Sequence, residues 1–153
     1  MRKILTLIDL PPVWLAGHLA VAWLIGMLMP PVLAGSVRQV GGAIAAAGVL
    51  LMAVAVWQML RARTTVIPRR APSALVTTGV FSISRNPIYL GDALVLIGAI
   101  LWWDAILALP VVASFVSVIT ARFIRAEEAR LTEAFGPEFD LWAARVRRWL
   151  GRK

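Results

Sequence analysis

Cysteine is absent from this chain, and histidine occurs once, at His18. The first absence excludes a disulfide framework, a thiolate metal site and a cysteine nucleophile. The second excludes a multi-histidine centre, so no metal is expected. Charge is also scarce: Asp, Glu, Lys and Arg make up 16% of the 153 residues, against about 25% in an average soluble domain. Acid is the scarcer sign. Eight Asp and Glu face sixteen Lys and Arg, a net charge of +8. That excess suits either nucleic acid or anionic lipid. The arginines lie beside apolar runs, which favours lipid headgroups and excludes nucleic acid as the partner. Internal repeats and low-complexity tracts are missing. Gly41-Gly42 precedes an apolar segment but lacks the G-x-G-x-x-G context of a dinucleotide fold. Arg2 and Lys3 make a weak basic start, and no small-residue site closes the first apolar run, so no cleavable signal peptide is expected.

What the chain has instead is hydrocarbon, with 60% apolar residues. A membrane helix needs roughly 20 of them in a row. Four segments come near that length: residues 13–33, 42–60, 88–103 and 105–124. Pro30 and Pro31 end the first. The third is short, and only Asp104 separates it from the fourth, which makes a tight hairpin. Pro110 falls in the first turns of the fourth, where a missing amide disturbs least. Arg61, Arg63, Arg69, Arg70 and Arg85 lie between the second and third segments without an acid. Arg122, Arg125, Arg130, Arg145, Arg147, Arg148, Arg152 and Lys153 follow the fourth. The other two connections carry only Arg38 and Asp104. The positive-inside rule then puts both termini and the long loop in the cytoplasm, as in a bacterial inner membrane. Trp102 and Trp103 suit an aromatic belt at the opposite interface.

The expected fold is therefore all-α and integral to the membrane, with about four transmembrane helices in a single domain over 1–153. Residues 62–91 form its cytoplasmic loop and 121–153 its cytoplasmic C-terminal helices. Gly136-Pro137 splits that tail into two helices. In the second, Phe139, Trp142, Val146, Trp149 and Leu150 share a face and Arg145, Arg148 and Arg152 lie off it. This predicts a helix that either lies in the interface plane or packs over the loop.

Residues 75–91, LVTTGVFSISRNPIYLG, are polar and turn-rich between two apolar segments. Asn86 precedes proline and is biased to extended geometry. Pro87 can open the following helix, whose first amides suit an anionic group. Tyr89 adds an aromatic face and a hydroxyl one turn in. Further on, a helical wheel over 121–135 puts Glu128 inside the apolar stripe of Ile124, Leu131 and Phe135, with Glu127 at its edge. An acid on a buried face needs a cation or donors. It either forms a structural salt bridge, to Arg85, Arg122 or Arg125, or faces a cationic ligand. Asp92, one turn into the third segment, either pairs with an arginine or contacts a ligand. His18 and Gln58 are expected to hydrogen-bond between helices.

The stretch L-V-T-T-G-V-F-S-I-S-R-N-P-I-Y-L-G, then a hairpin, then E-E-A-R-L-T-E-A-F-G-P-E-F, resembles the isoprenylcysteine carboxyl methyltransferase family, whose relatives include phospholipid methyltransferases. The resemblance covers residues 64–148. It implies an S-adenosylmethionine-dependent membrane methyltransferase. Its cofactor pocket would involve Ser73, Ala74, Leu75, Val76, Phe81, Asn86, Pro87, Ile88, Tyr89 and Glu127, whereas the wheel favours Glu128. The chain departs from the family at several points. Ser73 stands where the family usually has His, Phe81 where it has Tyr, and Asn86 where it has the His of R-H-P. Phe123 stands where the eukaryotic enzymes have an arginine for the substrate carboxylate. Arg85, Arg122 or Arg125 are the candidates to hold an anionic acceptor. The acceptor would be lipophilic or small: a carboxylate, a thiol or a lipid amine. Rival readings are a non-catalytic membrane or lipid-binding protein and an NADPH-dependent membrane reductase.

Overall fold

A computed structural model describes residues 9–67 and 72–152. Arg2, Lys3, Arg69, Arg70 and Lys153, which entered the charge pattern above, lie outside the described residues. The fold is all-α: α1 (Pro11–Leu28), α2 (Gly35–Arg61), α3 (Pro87–Trp102), α4 (Leu109–Ile119), α5 (Arg125–Phe135) and α6 (Pro137–Arg145). A π-helical segment, Thr120–Ile124, joins α4 to α5, and 3-10 turns occupy Gly79–Ser82 and Ile106–Ala108. Among the described residues, three helical stretches are long and apolar enough to cross a membrane: Pro11–Leu28, Gly35–Arg61 and Ile106–Phe135. At 16 residues, α3 is about 24 Å long, short of a hydrocarbon core of about 30 Å. The protein is an integral membrane protein.

The chain divides into two compact units. The first comprises the chain up to Gly48 with Asp92–Ile119. Small residues let its α2 and α3 segments meet almost backbone to backbone. A Cβ on Gly98 would lie 2.5 Å from the Gly41 carbonyl oxygen and the Ala45 nitrogen, and one on Gly42 would lie 2.6 Å from the Trp102 ring. Close approach of this kind is how helices associate where lipid removes the hydrophobic incentive. Asp104 closes the α3–α4 hairpin at a φ of 59°. Its buried carboxylate accepts hydrogen bonds from the Val32 and Leu33 amides at 3.0 Å. Those donors lie just past the end of α1, so one side chain ties two connections together. His18 bonds within this unit: Nδ1–H donates to the Trp14 carbonyl at 2.7 Å, leaving Nε2 to accept from the Ser114 hydroxyl at 3.3 Å.

The second unit comprises Val49–Gly91 and the chain from Thr120 onward. Its core gathers Ala55, Phe81, Phe139, Trp142 and Val146. The Trp142 indole N–H donates to the Phe81 carbonyl at 3.2 Å. The Phe139 and Trp142 rings meet edge to face, 5.9 Å apart, a preferred aromatic geometry. Gln58 anchors the 3-10 turn, its Oε1 accepting from the Val80 amide at 3.2 Å. Gly79, at a φ of 61°, packs so tightly on the Gln58 amide that a Cβ there would collide with it. Gln58 therefore bonds to the loop, where a bond between helices was expected.

The tail differs from expectation. The last helix ends at Arg145, and Val146 is already extended. Residues 146–152 form a strap instead, with a Val146–Arg152 bridge and Gly151 at a φ of 95°. Phe139, Trp142 and Val146 are buried in the unit's core rather than turned to lipid, and Leu150 is exposed. The physical reason is that the backbone beyond Arg145 finds partners in the loop. The Arg85 amide donates to the Arg147 carbonyl at 3.1 Å, and the Gly151 amide to the Ile83 carbonyl at 2.8 Å. These bonds replace the helical ladder.

Candidate functional site

The candidate residues are built on three elements of the second unit: the loop, the start of α3, and α5. Pro87 opens α3, and the Leu90 amide makes its first-turn bond to the Asn86 carbonyl at 2.9 Å. This directs the positive end of the helix dipole at the Arg85-Asn86 corner. Ser84 is almost wholly buried, and its hydroxyl accepts from the Asn86 amide at 3.0 Å. The Asn86 side chain donates to the Arg148 carbonyl at 2.9 Å, so the strap occupies this amide. At the other end of the loop, Thr64 is buried. Its Oγ1 accepts from the Ser73 and Ala74 amides at 3.2 and 3.3 Å, while the Ser73 hydroxyl donates to the Arg63 carbonyl at 2.7 Å. Leu75, Val76, Ile88 and Phe81 belong to the core around Trp142.

The two adjacent glutamates have different surroundings. Glu128 is a structural ion. Arg148 grips it with two parallel bonds, Nε to Oε1 at 3.0 Å and Nη2 to Oε2 at 2.6 Å, and the Arg85 Nη2 lies 3.2 Å from Oε1. Bidentate contacts of this kind are the strong ones. The two cations respond oppositely. Burial pushes the Arg85 guanidinium down from its usual value, with Glu128 opposing and Arg148 adding to the fall. The hydrogen bond to Glu128 raises Arg148. Among the described residues, the buried Arg85 Nε finds no acceptor. Glu127, by contrast, accepts a hydrogen bond from the Tyr89 hydroxyl at 2.8 Å. That donor is neutral, and among the described residues the cation acting on Glu127 is the Arg130 guanidinium further along α5. Phe123, almost completely buried, lies beside the Tyr89 ring at 6.5 Å between centroids.

The wheel thus put Glu128 on an inward face, where the bridge to Arg85 is formed. The structure brings Arg85, Asn86, Pro87, Tyr89, Glu127 and Glu128 together, while Ser73 is exposed and bonded within its own loop. Arg122 and Arg125 are exposed. Two residues escaped the sequence reading. Thr64 carried no signal beyond the start of the matching stretch. Arg148 was assigned to a charged outer face because its partner lies 20 residues away on another helix. The π segment was also unforeseen. Such segments recur at functional sites, and here the Thr120 hydroxyl accepts from the Trp149 indole at 3.1 Å.

The family model for phospholipid methyltransferases matches residues 37–138, well over half the chain. The protein belongs to the phospholipid methyltransferase family. The match takes in most of α2 as well as the loop, α3, α4 and α5, so it begins earlier than the motifs alone indicated. Membership implies a methyltransferase acting on lipids or similar membrane substrates, and the family generally uses S-adenosylmethionine. No curated protein and no solved structure matches the chain.

Proposed function

We propose that this phospholipid methyltransferase family member transfers a methyl group from S-adenosylmethionine to a lipophilic acceptor at the cytoplasmic membrane face. The observation that carries the reading is the contrast between the glutamates. Glu128 is held by two guanidiniums, whereas Glu127 is steadied by the neutral Tyr89 hydroxyl. A carboxylate so held suits the ammonium of the cofactor's methionine part. The dipole at the start of α3 suits its carboxylate. The donor set fits the group in charge and in kind.

In this reading the loop residues Ser73, Ala74, Leu75, Val76 and Phe81 wall the cofactor, with Asn86, Pro87, Ile88 and Tyr89 along the start of α3. When bound, the cofactor supplies an electrophilic methyl group on a positively charged sulfur. The protein's part is to align the acceptor and exclude water. Glu127 orients; Tyr89 holds Glu127; Glu128 locks Arg85 and the strap in place. An anionic acceptor group would meet the exposed Arg122 and Arg125; Arg85 is held by Glu128. The changes at Ser73, Asn86 and Phe123 leave this cofactor set more intact than a prenylcysteine site.

Titrating the purified chain with S-adenosylhomocysteine tests the reading. Saturable one-to-one heat exchange is expected. A folded wild-type protein that gives none would overturn it.

A further inference from the structure

Beside the α2–α3 contact of the first unit lies an open cavity of about 650 Å³, lined by Gln39, Gly42, Ala45, Ala99, Trp102 and Trp103. Each of these residues belongs to the first unit, and the proposed cofactor site uses none of them. Gln39, Gly42 and Ala45 follow one another along one side of α2, and Ala99, Trp102 and Trp103 share one side of α3. Small side chains on both helices leave the space open. From Gln39 to Ala45 the α2 wall is about 9 Å long. The volume is that of a ligand pocket, roughly 300–1,000 Å³.

The wall is apolar, but its rim is not. Arg38 is exposed beside Gln39, and its Nε donates to the Trp102 carbonyl at 3.1 Å. That bond fixes the guanidinium at the end of α3, at the edge of the cavity, with its other N–H groups still to be used. Among the described residues no ion pair reaches Arg38. The nearby acid in the chain, Asp104, is spent on the Val32 and Leu33 amides.

An unbalanced cation at the mouth of a hydrocarbon-lined groove fits a molecule with an anionic head and an apolar tail. The guanidinium fork suits a phosphate. The tail alone gains little by leaving the bilayer, because lipid chains are as apolar as the wall, so selection must come from the head. A zwitterionic head would bring an ammonium for which the rim has no unspent acid. A second copy of the chain, docked on a twofold axis through the groove, would set its own Arg38 against this one.

We propose that this groove seats one anionic phospholipid, its phosphate paired with Arg38 and the upper part of an acyl chain lying along Gly42, Ala45 and Ala99. The small residues supply only the room, and the charge is met at the rim. The lipid is a resident ligand of the first unit and not a methyl acceptor.

The test uses the full chain in phosphatidylcholine nanodiscs. With palmitoyl-oleoyl-phosphatidylglycerol added, native mass spectrometry should show one such lipid retained per chain, in preference to palmitoyl-oleoyl-phosphatidylethanolamine. Arg38→Gln should weaken its retention about tenfold, the scale of a lost hydrogen bond to a charged group. Ala99→Leu, which keeps Arg38 and fills the cavity, should also lose the lipid. In the wild type, and so whatever the variants do to folding, phosphatidylglycerol brominated on an acyl chain should quench tryptophan fluorescence more than phosphatidylcholine brominated at the same carbons. Glycerophosphoglycerol, the same head without chains, should not compete. Equal quenching by the two lipids, or full competition by glycerophosphoglycerol, overturns the proposal. So does wild-type retention by folded Arg38→Gln or Ala99→Leu protein. A lipid-free dimer that Ala99→Leu dissociates would give the groove to a second copy and overturn it as well.

Discussion

The two units of this protein are held together by different means. In the first, backbones meet through Gly41, Ala45 and Gly98, with Asp104 tying the connections. In the second, aromatic rings surround Trp142, and an arginine–glutamate–arginine group fastens the strap to the loop. Close packing of small residues gives a rigid shape but has no means of recognising a charged molecule. A polar network can recognise one, provided that every member is held in place. The first unit thus reads as packing, and the second holds the polar network on which the proposed cofactor site rests.

Substitutions on the two sides should fail differently. Gly98→Val is the most damaging to the fold. Its side chain would enter backbone at 2.5 Å, and overpacking costs about 1–3 kcal/mol or more. A lowered melting temperature with near-normal S-adenosylhomocysteine affinity at low temperature is expected. A normal melting temperature would show that α2 and α3 do not pack this closely.

Arg148→Met should act in the second unit alone. The Arg148 side chain is 37% exposed and that of Glu128 15%. Solvent screening therefore reduces the loss to about 1 kcal/mol. It should loosen the strap, detectable as faster amide exchange at Arg85 and Gly151, whose bonds cross it. Arg148→Lys should recover little, since an ammonium cannot form the paired contact. Unchanged exchange at those amides would remove the strap from the network.

Tyr89→Phe is the mildest change. It deletes one hydroxyl and leaves the ring beside Phe123. The expected loss is about 1 kcal/mol in cofactor affinity, the scale of one hydrogen bond, or roughly fivefold by titration. No change would mean that Glu127 needs no such support.

Much of this architecture was readable from the chain. The apolar segments follow from hydropathy, which depends only on local composition, and each overlaps a helix, although α2 begins seven residues before the expected start, at Gly35, and α1 ends five residues before the expected end, at Leu28. Pro87 and Gly136 mark helix limits by chemistry that neighbours do not alter. The strap was not readable. Apolar residues at helical spacing continue through Trp149 and Leu150, so periodicity extends the last helix past Arg145. What stops it is a set of bonds to residues more than sixty positions away, such as that from Asn86 to the Arg148 carbonyl. The pairing of Glu128 with Arg148 was hidden for the same reason. The wheel could find the inward face of α5, but both glutamates sit near it. Only their partners distinguish a structural ion from a ligand group.

The central claim is that Glu127, and not its neighbour, is the acid that meets the cofactor. Its direct test is the S-adenosylhomocysteine affinity of Glu127→Gln by calorimetry, with a melting curve as the folding control. Removing one side of a buried charge pair costs about 2–5 kcal/mol, so affinity should fall at least about thirtyfold while the melting temperature holds. Wild-type affinity in a folded Glu127→Gln protein would contradict the account.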